Sequence, residues 1–327
     1  MNIGVIGGGA WGSALAQSMA SDGSAVTLWA RESDVATAIN QRHENPKFLP
    51  GIALNPHICA TNTLADLAGA PFLLAVAPAQ FLGQVIEQLP EKQVPLILCS
   101  KGMEQGSGRL MCDVARDCGW TGTIAVLSGP SFAHEVAAGL PAAVTLAADT
   151  FAAAETLSAL IARPALRPYA SDDVIGAEIG GVIKNVLAIA CGVVEGAKLG
   201  QSARSALIAR GFAEMTRYAL ARGGRAETMA GLSGLGDLVL TCSSKSSRNF
   251  SLGFGLGEGA LPSDLLTNRA SVAEGAFSAP VLAADAAARG VDMPICAAVA
   301  DLIAGRSDAG AIIHALMRRP LAREGMA

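Results

Sequence analysis

Charged and aromatic side chains are scarce in this chain. Of its 327 residues, 16% are charged and 4% aromatic. No Lys/Arg block stands out and the formal net charge is -4, which excludes the basic footprint of a nucleic-acid-binding protein. Histidine occurs four times, at His43, His57, His134 and His314, with no HExxH pattern and no His/Cys cluster. No metal site is therefore expected. The seven cysteines (Cys59, Cys99, Cys112, Cys118, Cys191, Cys242 and Cys296) are odd in number and include no CxxC pair. They read as reduced thiols packed in the core of a cytoplasmic protein rather than as a disulfide framework. No run of about 20 apolar residues escapes a charge or a proline-glycine break. The longest candidate, 125–148, is interrupted by Gly129-Pro130, His134, Glu135 and Pro141. The expectation is a soluble chain with no membrane span. Asn2-Ile3-Gly4-Val5-Ile6 reads as a strand with no basic segment before it, unlike a signal peptide.

What remains is an aliphatic chain, 51% hydrophobic. Its core must come from Ala, Leu, Val and Ile, and alanine-rich helices are expected. The length suggests two domains. The first half alternates apolar strand-like runs (3–6, 25–29, 72–76, 96–99, 124–127 and 143–146) with helical patterns (12–20, 34–40, 80–88 and 109–118). That alternation predicts a doubly wound α/β domain with a parallel sheet covered on both faces. The stretch Asn45-Pro46-Lys47-Phe48-Leu49-Pro50-Gly51 reads as a loop insertion between units. From about Ser171 strand signals almost vanish and Ala/Leu/Gly-rich helical stretches follow. The expected division is 1–170, dinucleotide-binding, and 171–327, all-helical.

Gly7-Gly8-Gly9-Ala10-Trp11-Gly12 fits GxGxxG through Gly7, Gly9 and Gly12. It follows the first strand and opens a helix. The glycines permit a tight turn, close approach of the backbone to a pyrophosphate, and close helix–strand packing. The helix N-terminus then faces the phosphates. At the end of the second strand, where an acidic residue would take the ribose hydroxyl of NAD, stands Arg31, followed by Glu32. Arg31 suits the 2′-phosphate of NADP. NADP(H) is thus the preferred cofactor, with NAD(H) possible.

Farther along, Val182-Ile183-Lys184-Asn185-Val186 sets a lysine inside an apolar, helical-looking segment preceded by Gly180-Gly181. An ammonium in such surroundings loses solvation and becomes able to exchange protons. With a redox cofactor, that points to interconversion of an alcohol and a ketone. Other polar islands interrupt apolar runs: Ser100-Lys101-Gly102, Gly129-Pro130-Ser131-Phe132-Ala133, Gly231-Leu232-Ser233-Gly234-Leu235-Gly236-Asp237-Leu238, Ser246-Ser247-Arg248-Asn249 and Val272-Ala273-Glu274-Gly275.

In this order, Lys101, GPSFA, EIGGVIKN, GLSGLGDL, SSRN and VAEG resemble the bacterial type of NAD(P)-dependent glycerol-3-phosphate dehydrogenase, from Asn2 to about Arg319. The resemblance implies a Rossmann domain followed by an all-helical domain. It implies interconversion of dihydroxyacetone phosphate and sn-glycerol 3-phosphate, the latter feeding phospholipid synthesis. It makes Lys184 the general acid/base at C2, Asp237 its partner, and Arg248 and Asn249, with Ser247, the groups that engage the substrate phosphate. Asn185, Thr241, Gly129 and Ser131 become substrate-pocket residues. Lys101 would touch substrate and cofactor. Gly7, Gly9, Ala10, Trp11, Gly12, Arg31, Ala133, Arg248, Val272 and Glu274 would lie along the cofactor. Ser13 stands where the family often has threonine, a change that touches no implied chemical role. Two alternatives stay open. One is a related reductase of another hydroxy acid (3-hydroxyisobutyrate, 6-phosphogluconate or ketopantoate type). The other is a non-catalytic NADP-binding module. A homodimer is expected as the commonest assembly.

Overall fold

A computed structural model of the chain describes residues 2–267 and 273–317. It divides into two compact units, one formed by Met1–Lys101 and Arg109–Glu178, the other by Gly102–Gly108 and Ile179–Ala327.

The first unit is built on strands β1 (Asn2–Ile6), β2 (Ala25–Trp29), β5 (Ile58–Thr61), β6 (Leu73–Ala75), β7 (Leu96–Leu98), β8 (Ile124–Ser128), β9 (Ala142–Ala148) and β10 (Leu166–Ser171). They form one sheet in the order β10-β9-β8-β7-β6-β1-β2-β5. Helices α1 (Ala10–Met19), α2 (Ser33–Arg42), α3 (Ala79–Glu87), α4 (Met111–Asp117), α5 (Ala133–Ala137) and α6 (Phe151–Ile161) connect them. The pleat sorts the strand residues into two apolar layers. Ile97, Ala125 and Leu127 join a cluster with Leu15 of α1, Ile39 of α2 and Leu157 of α6. Their neighbours Leu96, Leu98, Ile124 and Val126 join another with Leu82 of α3 and Val114 of α4. This is the expected doubly wound sheet, although β5, α5 and α6 were not among the expected elements, and it departs from the expectation in three further ways. β8 and β9 pair antiparallel. β10 was not expected at all: it contains Pro168, which only an edge strand tolerates, and β10 is an edge. The expected loop at 45–51 is a small antiparallel hairpin of β3 (Glu44–Asn45) and β4 (Leu49–Ala53). Pro46 and Pro50 masked it in the sequence by interrupting any alternation.

In the second unit the described residues contain no strand. Its central element is α7 (Val174–Gly196), whose first residues belong to the first unit. Among the described residues α7 alone is long and apolar enough to cross a membrane, but 94% of its most apolar window is buried, as in a core helix. The longest apolar candidate in the sequence, 125–148, whose interruptions spoke against a span, comprises β8, α5 and β9. α7 is followed by α8 (Gln201–Ala221), α9 (Ala226–Ala230), a π-turn (Leu232–Gly236), α10 (Asp237–Cys242), α11 (Arg248–Gly257), α12 (Pro262–Thr267), α13 (Glu274–Ala288), α14 (Pro294–Ile303) and α15 (Ala309–Met317). All seven cysteines are free thiols, and Cys59 is exposed rather than packed.

Each unit spends a buried carboxylate on a helix N-terminus. Glu178 accepts from the Cys112 N–H of α4 at 3.0 Å. Glu214 accepts from Ile295 N at 2.8 Å and Cys296 N at 3.2 Å, capping α14. Burial pushes both carboxyls up, each to about 7. Such a carboxyl holds its proton more tightly in the folded than in the unfolded chain. Its contribution is therefore fully present below its ordinary value of 4.5 and is lost as pH rises to about 7. Glu214→Gln should flatten that dependence, the parent losing about 3 kcal/mol relative to it across the window. Denaturant unfolding of both proteins across this window checks it, and a pH-independent difference would refute it.

Candidate active site

The carboxyl edge of the sheet gathers the polar islands of the first unit. β1, β6, β7 and β8 are consecutive parallel neighbours, so the loops that follow them open on one edge. The order turns at β1, with β2 on one side and β6 on the other, and this is where doubly wound sheets take ligands.

After β1, Gly7 adopts φ +117° and donates to Trp29 O at 2.9 Å. Gly12 lies so close to this turn that a Cβ would stand 1.8 Å from the Gly7 carbonyl oxygen. Gly9 is exposed, and a Cβ built on it meets nothing within 4 Å. The first N–H groups of α1, from Ala10 on, have no intrahelical acceptor. Trp11 Nε1 is buried without a hydrogen-bond partner. Open space before Gly9, unfilled donors behind it and an orphaned indole N–H fit a dinucleotide pyrophosphate. Arg31 lies two residues beyond β2, largely exposed, its Nη2 2.9 Å from Glu32. After β7 and β8, Lys101 Nζ and Ser131 Oγ both donate to the Gly129 carbonyl, at 3.4 and 3.0 Å. Ala133 opens α5 just beyond.

The sequence reading passed over Asn45. It is fully buried, and its Nδ2 donates to Gly8 O and to Ser13 Oγ, both at 2.8 Å. Nothing in its local sequence, Glu44-Asn45-Pro46, marks it as more than a turn residue.

The second unit concentrates the others. α7 presents Lys184, and the π-turn and α10 run beside it. Gly180 makes this approach possible, because a Cβ there would lie 2.2 Å from Ser233 O. One turn on, Lys184 Nζ donates to Asp237 Oδ1 at 2.7 Å and to Thr241 Oγ1 at 3.0 Å. Thr241 Oγ1 donates in turn to Asp237 Oδ1 at 3.1 Å. The Lys184 side chain is 10% exposed and that of Asp237 1%. Beside Thr241, burial pushes the Cys242 thiol far above its ordinary range. Asn185 and Asn249 are also buried, and Asn249 Oδ1 accepts from Gly275 N at 3.0 Å. Ser247 caps α11 through its hydroxyl, which accepts from Phe250 N at 3.2 Å, and Arg248 is the first residue of that helix. Glu274 begins α13. Val272 lies outside the described residues. His134, His43 and His57 are exposed.

A glycine turn at the switch point of a doubly wound sheet, carried in one chain with a carboxylate-held lysine in a helical core, defines a two-unit dinucleotide-dependent dehydrogenase. Comparison with known proteins narrows this. Residues 2–154 match the family described as NAD-dependent glycerol-3-phosphate dehydrogenase N-terminus, and 173–314 its C-terminus. The chain is 61% identical over 322 residues to the glycerol-3-phosphate dehydrogenase [NAD(P)+] of Erythrobacter litoralis, covering 98% of this chain and 97% of that one. It superposes on the crystal structure of a glycerol-3-phosphate dehydrogenase from Coxiella burnetii with a TM-score of 0.92 at 36% identity, covering 97% and 99% of the two chains. A ketopantoate reductase from Ralstonia eutropha (TM-score 0.61, 16% identity, 96% and 100% covered) shares the fold alone. The chain belongs to the NAD-dependent glycerol-3-phosphate dehydrogenase family.

Asp237→Asn keeps the shape of the pair and removes its negative charge. Leaving the Lys184 ammonium uncompensated should cost about 3 to 5 kcal/mol. Equilibrium unfolding in urea near neutral pH measures this, and a loss below about 1 kcal/mol would show that the pair contributes little to the fold.

Proposed function

We propose that this chain interconverts dihydroxyacetone phosphate and sn-glycerol 3-phosphate, using NADP(H) in preference to NAD(H). The observation that carries the reading is the buried Lys184–Asp237–Thr241 cluster in a chain of this family. Residues 1–170 would serve the cofactor and 171–327 the substrate. Gly7, Gly9, Ala10, Trp11, Gly12, Arg31, Lys101, Ala133, Arg248, Val272 and Glu274 would hold the dinucleotide. When bound, it would supply or accept the hydride at C2.

The chain's own part is proton handling and positioning. In the reducing direction the Lys184 ammonium donates a proton to the C2 oxygen and stabilises the negative charge growing there. In the oxidising direction the neutral amine takes the hydroxyl proton. Asp237 favours the charged form through direct attraction, and Thr241 fixes the direction of the Nζ by accepting one of its hydrogens. Arg248 offers a planar fork suited to a phosphate, with Asn249 and Ser247 beside it in sequence. Lys101, Gly129, Ser131 and Asn185 complete the proposed substrate contacts. A role in supplying glycerol phosphate for phospholipid synthesis, a cytoplasmic location and a homodimeric state belong to the same proposal.

Purified protein given dihydroxyacetone phosphate should consume NADPH, followed by its absorbance. Lys184→Ala should lower kcat by about 100-fold or more while NADPH still binds. A variant retaining most of its turnover would overturn the acid/base role. Arg31→Ala should raise the KM for NADPH by about tenfold and leave that for NADH nearly unchanged, since one charge-assisted contact to the 2′-phosphate is lost. Equal effects on both cofactors would remove Arg31 from the specificity argument.

A further inference from the structure

We infer that Asn45 is a positioning residue for the cofactor, an inference that rests on the dinucleotide reading of the Gly7–Gly12 turn. Its side chain is fully buried among backbone and hydroxyl groups, and every contact it makes has a geometric consequence. Nδ2 donates to the Gly8 carbonyl oxygen and to Ser13 Oγ, each at 2.8 Å. Oδ1 accepts from Phe48 N at 3.2 Å, within its own hairpin. The amide therefore ties the β3–β4 hairpin to the glycine turn and to the first turn of α1.

The bond to Gly8 matters most. The Gly8 carbonyl and the Gly9 N–H belong to one planar trans peptide and point in opposite directions. Anchoring the carbonyl inward on Asn45 aims the Gly9 N–H outward, into the open space in front of the turn. Glycine at 8 and 9 leaves that peptide free to rotate, so some other group must hold it. Gly8 has no Cβ of its own to pack, and one built there would lie 2.5 Å from Ala30 Cβ. The second bond fixes α1 relative to the same peptide through Ser13, which is itself fully buried. A hydroxyl at position 13 is thus an acceptor that Asn45 requires, and threonine would serve as well as serine.

Asn45→Asp is nearly isosteric but has no hydrogen to give, and it sets a carboxylate against the Gly8 carbonyl. We expect the dissociation constant for NADPH, measured by quenching of protein fluorescence, to rise by about tenfold or more. The KM for NADPH should rise in parallel, with kcat at saturating cofactor within about twofold of the parent and the KM for dihydroxyacetone phosphate unchanged. A purely structural role would lower the melting temperature and leave the cofactor affinity of the folded fraction alone, and that result would overturn the inference. Ser13→Ala removes a single acceptor and leaves Asn45 in place. It should weaken NADPH by about threefold, and it decides the matter if Asn45→Asp does not fold. Unchanged affinity in Ser13→Ala would then overturn it. If the parent bound no nicotinamide dinucleotide, the cofactor reading would fall and this inference with it. If the parent bound and the folded variants bound equally well, the inference alone would fall.

Discussion

An ammonium group removed from water must be neutralised, and in this protein Asp237 does it for Lys184. The pair lies 2.7 Å apart on two neighbouring helical segments. A lone charge there would shed its proton or unfold its surroundings. α7 is apolar over most of its length and holds the lysine stem rigidly. Gly180 lets the π-turn come against α7, which brings Asp237 within reach. Thr241, four residues after Asp237, closes the triangle. On the proposed reading, an amine held in this way is a proton donor with little reorganisation left to do.

On the proposed reading, the first unit meets a different need with backbone rather than side-chain groups. A pyrophosphate is recognised by peptide N–H groups, and their direction is set by the peptide planes. Glycine gives the chain access to the needed turn at Gly7 but cannot hold it there. Packing at Gly12 and the buried Asn45 amide supply the restraint. Lys101 and Ser131 converge on the Gly129 carbonyl in the same manner, so that one backbone oxygen orders two side chains.

The sequence made the chemistry-bearing residues legible because their oddity is local. A lysine among Val and Ile, or three glycines after a strand, contradicts its own surroundings. The alternation of apolar runs likewise disclosed the sheet and its helices, since β6, β7 and β8 are buried along their whole length. What stayed hidden depends on distant partners. Asn45 looks like a turn residue beside Pro46 until Gly8 and Ser13, more than thirty positions earlier, are placed against it. Glu214 looks like any helical glutamate until α14 arrives eighty residues later. The direction of β9 is set by pairing, which composition does not encode. β10, with Arg167 and Pro168, has an edge strand's mixed composition, and no period announces it.

The π-turn at Leu232–Gly236 bears on how this gene can change over time. A π-turn closes i→i+5 hydrogen bonds where an α-helix closes i→i+4, so the step that leads to Asp237 depends on how many residues this turn contains. A one-residue deletion there would have to be taken up by tightening the turn towards α geometry if Asp237 is to stay against Lys184. The number of residues between Ala230 and Asp237 is thus a structural quantity of its own, distinct from the identity of the side chains that fill it.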